Sequence, residues 1–133
     1  MRLRALQLML ALAAAGAVWA GDFGRIEPQA LAEQLETADP PPLVLDVRTA
    51  AEFDESHIPS AVNIPHDSLD RRISELGAAD GRDIVVYCRS GRRSAIALAA
   101  LQRGGFSRLF HLEGDWLRWS EEGRPLIRAT AKH

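Results

Sequence analysis

Apolar and polar positions along the chain switch repeatedly between two rhythms. Leu43-Val44-Leu45-Asp46-Val47 is a short apolar run broken only by Asp46, and Ile84-Val85-Val86-Tyr87 combines three β-branched residues with an aromatic. Both predict strands buried on two faces. Ala61-Val62-Asn63-Ile64, with Pro59 and Pro65 on either side, predicts another short strand, and residues 108–112 a further one. Between these runs the spacing turns helical. Pro28 suits a first helical turn, and Leu31 and Leu35 then share a face, until Asp39-Pro40-Pro41-Pro42 stops the helix. Thr49-Ala50-Ala51-Glu52 has the spacing of a capping box. Asp67 is a candidate cap for a helix carrying Leu69, Arg72, Ile73 and Leu76 and closing at Gly77. Residues 94–101 are apolar almost all round, which predicts a buried helix closed by Arg103 and Gly104. Trp116 and Trp119 share one face of a last short helix ending near Gly123-Arg124-Pro125.

Strand and helix alternate without internal repeats. This predicts an α/β fold, an open parallel sheet covered on both faces, whose sites form beyond the carboxyl ends of the strands. Cys88 sits at such an end, between the clearest strand and the most apolar helix.

The first residues follow another pattern. Arg2 and Arg4 precede an apolar stretch from Leu6 to Val18 interrupted by Gln7, and Val18-Trp19-Ala20 offers a small residue for cleavage. This is the layout of a secretory signal peptide over residues 1–20, with a second cut point at Ala17 and an uncleaved anchor as the alternative. The apolar stretch is shorter than the roughly 20 residues that span a bilayer. The expected division is a leader, 1–20, and one domain, 21–133, in the periplasm or secreted, with no stable membrane association after cleavage.

Composition narrows the remaining choices. The chain has 133 residues and a net charge of −2, so it has no electrostatic footprint for nucleic acid. It holds a single cysteine. An exported domain with one thiol has no internal disulfide to stabilise it. That thiol is either buried and inert or reactive.

Its neighbourhood decides between the two. Cys88-Arg89-Ser90-Gly91-Arg92-Arg93-Ser94 joins a strand to a helix. A thiolate, the reactive form, is favoured at a helix N-terminus and beside cations. Gly91 permits backbone angles that turn successive N–H groups inward as an anion nest. The first amides of the helix add partial positive charge, and Arg89, Arg92 and Arg93 add formal charge. The combination is a cradle for one anion above a sulfur nucleophile.

Residues 85–94 resemble the active-site strand and loop of single-domain rhodaneses. Asp46-Val47-Arg48, Glu52-Phe53 and residues 57–65 are similar to that family's upstream signature, and Glu113-Gly114-Asp115-Trp116 and Gly123-Arg124-Pro125-Leu126 to its closing segment. Ser56 and Ser60 stand where the family often has glycine. The resemblance spans roughly residues 25–127. It implies a five-stranded parallel sheet with helices on both sides and a thiosulfate sulfurtransferase. Cys88 is then the catalytic residue. Arg89, Ser90, Gly91, Arg92, Arg93 and Ser94 bind the donor. Sulfane sulfur passes from thiosulfate through a Cys88 persulfide to cyanide or a thiol. No metal or organic cofactor is required.

Two alternatives stand beside this reading. A cysteine phosphatase or arsenate reductase would need an arginine six residues after the cysteine, where this chain has Ser94. A non-catalytic module on the same fold would have no use for the complete loop. Asp46 is expected to form a structural ion pair with Arg48 or a loop arginine, and His57 to act as a hydrogen-bonding brace. His66, His111 and His133 are scattered and give no metal spacing. Trp116 and Trp119 are expected to pack.

Overall fold

The computed structural model describes residues 23–79 and 81–129. The expected leader, with both of its cut points, lies outside the described residues, as does His133.

Among the described residues, seven strands and five α-helices follow one another. They are β1 (Gly24–Ile26), α1 (Pro28–Thr37), β2 (Leu43–Asp46), α2 (Ala50–Glu55), β3 (Ser56–His57), β4 (Val62–Asn63), α3 (Leu69–Arg72), β5 (Ile84–Tyr87), α4 (Arg92–Arg103), β6 (Leu109–Leu112), α5 (Asp115–Glu121) and β7 (Ile127–Arg128). A 3-10 segment, Ile73–Ala79, continues α3. Five strands form one parallel sheet in the order β1-β6-β5-β2-β4. β3 and β7 make a separate antiparallel ribbon. The expected α/β architecture with a five-stranded parallel sheet is present. Its fifth strand, β1, was not anticipated from the residue pattern, and neither was the ribbon.

Successive strand residues face opposite sides of the sheet, and the core divides accordingly. Leu45, Ile84, Val86, Cys88 and Leu109 pack with Leu69, Leu98 and Leu101 of α3 and α4. Val44, Val85, Tyr87 and Leu112 pack on the other face with Leu31 of α1 and Trp119 of α5. β5 is central, and all four of its residues are buried. Trp116 and Trp119 lie in this second cluster, Trp119 fully buried and Trp116 at its edge.

Local signals hold in some places and fail in others. Pro28 opens α1, and both halves of the Thr49–Glu52 capping box are formed. Asp67 does not cap α3. Ser68 occupies that position in helical geometry without a side-chain bond, and the helix tightens at Ile73 and runs through Gly77 to Ala79. α4 begins at Arg92, two residues before the expected start, because Gly91 takes the cap position with φ 119°. That backbone is open to glycine and strained for any other residue. Nor is α4 buried all round, since Ile96 is exposed.

Candidate active site

The site lies beyond the carboxyl ends of β2, β5 and β6. Val86 and Cys88 point to the same face, so Cys88 is packed into the core beneath the first turn of α4 and is only 1% exposed. Its sulfur is therefore recessed at the base of the loop that follows. The Gly91 N–H donates to Cys88 Sγ at 3.0 Å. The twelve-residue α4 starts at the next residue, so the positive end of its dipole follows directly on the amide that meets the sulfur.

The backbone of this loop is held from outside. The Trp116 N–H donates to the Cys88 carbonyl at 2.9 Å and the Leu117 N–H to the Arg89 carbonyl at 3.2 Å. The Cys88 N–H donates to Asp115 Oδ1 at 3.0 Å. Asp115 and Trp116, at the start of α5, thus fix both polar groups of Cys88, and Leu117 fixes the carbonyl of Arg89. With its carbonyls turned toward α5, the loop leaves Gly91 N–H for the sulfur.

The residues named from the sequence have different fates. Arg89, Ser90 and Arg92 are exposed at the rim. Arg93 is half-buried and makes a two-pronged pair with Glu52, at 2.6 and 3.1 Å. These bonds hold the Glu52 carboxyl at about 2, well below its ordinary range, against the opposing effect of burial. Glu52 also completes the cap of α2, so one carboxylate ties α2 to the active loop. Ser94 is buried, and its hydroxyl donates to Asp115 Oδ1 at 2.8 Å, which directs it away from the rim.

Two side chains were missed. Asp115 is buried and lies at φ 52°, in the left-handed region that a non-glycine residue adopts at a cost. His111, at the end of β6, places Nε2 3.0 and 2.9 Å from the two Asp115 oxygens. Burial alone would raise the Asp115 carboxyl, but bonds from His111, Cys88 N–H and Ser94 O–H outweigh it and hold the group below its ordinary value. A histidine at the end of the strand beside β5, four residues before an aspartate at a helix start, was the available signal.

On the other flank, Asp46 is buried and accepts Arg48 Nε and Nη2 at 3.0 and 2.7 Å, Arg48 N–H at 2.9 Å and Tyr87 O–H at 2.7 Å. The expected ion pair is therefore with Arg48, not with a loop arginine. The Arg48 guanidinium also donates to the Ser56 carbonyl and lies 4.6 Å from the centre of the Trp116 ring. The Tyr87 phenol is pushed up by burial and by the Asp46 charge. His57 hydrogen-bonds the Phe53 carbonyl and stacks on the Phe53 ring, as a brace would. Among the described residues, no three histidine, cysteine or acidic side chains gather closely enough to hold a metal ion, and no helix is long and apolar enough to cross a membrane.

Residues 27–122 match the rhodanese-like domain family. A sulfurtransferase of Allochromatium vinosum is 37% identical over 103 residues, covering 77% of this chain and 92% of that protein. An uncharacterised Synechocystis protein is 39% identical over 103 residues, 77% of this chain but only 55% of its own length. The crystal structure of a rhodanese-related protein from Thermoplasma volcanium superposes with a TM-score of 0.69 at 30% identity, over 79% of this chain and 98% of that one.

Proposed function

Since the chain belongs to the rhodanese-like domain family and is a sulfurtransferase of that kind, we propose that it moves sulfane sulfur from thiosulfate, through a persulfide on Cys88, to cyanide or a thiol. The observation that carries this reading is the placement of Cys88 Sγ. It sits at the carboxyl end of the central strand, 3.0 Å from Gly91 N–H and beside the N-terminus of α4, with Arg89 in the loop and Arg92 and Arg93 in the first turn of that helix.

The chemistry balances on those parts. The Cys88 thiolate attacks the outer sulfur of thiosulfate, and the bond between the two donor sulfurs breaks. Sulfite leaves with that electron pair, and Cys88 carries the extra sulfur as an anionic persulfide. The carbon of cyanide then attacks the terminal sulfur, giving thiocyanate and restoring the thiolate. A thiol acceptor does the same with its own sulfur. The donor, the departing sulfite and the persulfide are all negative, so one fixed field of amides and guanidinium groups serves every stage. A recessed sulfur suits a slim donor whose reactive atom projects from its charged end. Arg89 and Arg92 are free at the rim to meet that donor, whereas Arg93 is shared with Glu52. The position where a phosphatase loop needs an arginine is Ser94, whose hydroxyl donates to Asp115.

Steady-state thiosulfate:cyanide turnover tests this reading. Arg89→Ala/Arg92→Ala should raise the Michaelis constant for thiosulfate while leaving alkylation of Cys88 by neutral iodoacetamide nearly intact. Turnover of an aryl phosphate without any sulfur transfer would reverse the assignment. The leader pattern at residues 1–20 supports export to the periplasm or medium. N-terminal sequencing of protein from the producing cell should begin near Gly21, and a full-length cytoplasmic product would contradict export.

A further inference from the structure

We propose that Asp115, paired with His111, is a positioning residue for sulfur transfer. It aims the Cys88 loop so that Gly91 N–H stays on the sulfur. This deepens the sulfurtransferase reading and rests on it.

The four bonds that converge on the Asp115 carboxylate belong to three different elements. Cys88 N–H comes from the end of β5, Ser94 O–H from the first turn of α4, and His111 Nε2 from the end of β6. These are the two walls and the hinge of the anion cradle. The carboxylate also fills the space under the loop: a Cβ added at Gly91 would stand 3.2 Å from Asp115 Oδ2 and 3.7 Å from the His111 ring. The loop glycine therefore rests on this pair, and that glycine is the one whose N–H reaches Sγ.

The backbone at Asp115 points the same way. With φ at 52°, Asp115 holds a conformation that costs free energy for a side chain. That conformation lets its carboxylate take the Cys88 N–H while the next two amides take the carbonyls of Cys88 and Arg89. The strain thus yields simultaneous control of the donor and acceptor of the nucleophile. His111 supplies the counterpart that keeps a buried carboxylate tolerable beside an anion site; it is half-buried, and Phe23 meets its ring edge-on.

An asparagine at 115 keeps an oxygen for Cys88 N–H and Ser94 O–H, whereas alanine keeps none. Asp115→Ala should lower kcat for thiosulfate:cyanide turnover by roughly ten- to a hundredfold, the scale of a small misplacement of reacting groups. The Michaelis constant should change far less, because the arginines remain. Asp115→Asn should restore most of the loss. Amide hydrogen exchange read by NMR supplies a measurement independent of turnover. Exchange at Cys88 and Gly91 should accelerate in Asp115→Ala and return toward wild type in Asp115→Asn. If Asp115→Ala does not fold, His111→Ala and Ser94→Ala each remove one partner and should show the same pattern at smaller amplitude. Wild-type kcat in a folded Asp115→Ala, or equal losses for alanine and asparagine, would overturn the positioning role. Should the wild type transfer no sulfur while the exchange pattern appears as described, the sulfurtransferase reading fails, and with it the role in transfer, while the placement of the Cys88 loop by Asp115 stands.

Discussion

Cys88 stands between two buried aspartates that solve the same problem differently. Asp46 ends β2 on one side of β5, and Asp115 follows β6 on the other. Asp46 is enclosed by its own neighbourhood. Arg48, two residues away, binds it in bidentate fashion, and Tyr87 and Arg48 N–H complete its shell. Every one of those donors is buried structure, and none touches the nucleophile's own polar groups. Asp115 instead spends its acceptors on Cys88, on Ser94 and on a histidine that remains partly open to solvent. One network closes the fold and the other opens onto the reacting sulfur. Burial and charge alone do not distinguish the two; what does is whose hydrogen-bond groups they hold.

The largest expected effect attacks the closed network. Arg48→Met leaves Asp46 as a buried carboxylate without its cation, which costs about 3–5 kcal/mol in unfolding free energy. Urea denaturation measures it, and a loss under about 1 kcal/mol, the scale of a solvent-exposed ion pair, would contradict a closed Asp46 network. Asp115→Ala should lose less, about 1–3 kcal/mol, the usual cost of leaving buried donors unpaired. Alanine tolerates the left-handed backbone at this position no better than aspartate, so no relief of strain offsets the loss.

Acid sharpens the contrast. Asp115 and Glu52 both titrate below their ordinary values in the folded protein, Glu52 at about 2. A carboxylate depressed in the folded state contributes stability that is complete above its unfolded value of about 4.5 for glutamate and is lost as pH falls through the folded one. Stability should therefore decline between pH about 4.5 and about 2. Glu52→Gln should flatten that decline while lowering stability at neutral pH, measured by unfolding midpoints across the window. A profile unchanged by the substitution would show that the Arg93 pair is solvated away. The smallest effect is at the cap of α2. Thr49→Ala removes the hydroxyl that accepts Glu52 N–H and should cost about 1 kcal/mol.

The Asp46–Arg48 pair was legible in the sequence, with a loop arginine as the alternative, because it is local; the Tyr87 bond to Asp46, from the neighbouring strand, was not. Asp46 and Arg48 are two residues apart at the end of an apolar run, and the capping box carries its own spacing. The nucleophile was legible for the same reason, since strand, Cys88, Gly91 and arginines are contiguous. The open network was not. His111 and Asp115 meet Cys88 only because β6 lies beside β5, and the meeting requires an aspartate in a conformation that no propensity favours. β1 was hidden because Gly24-Arg25-Ile26 is too short and too polar to show a period. The ribbon of β3 and β7 was hidden for the same reason. The early start of α4 was obscured by Arg92 and Arg93. Cations are unfavourable in a first helical turn, so their presence there reflects the site and not the helix.

The central claim is that Cys88 carries the sulfur, and intact mass spectrometry of the protein tests it most directly. Wild-type protein treated with thiosulfate and freed of excess donor should gain the mass of one sulfur atom, and lose it again on adding cyanide as thiocyanate appears. Cys88→Ser, folded by circular dichroism, should gain nothing. A wild-type mass that stays unchanged while sulfite and thiocyanate still accumulate would contradict transfer through a Cys88 persulfide.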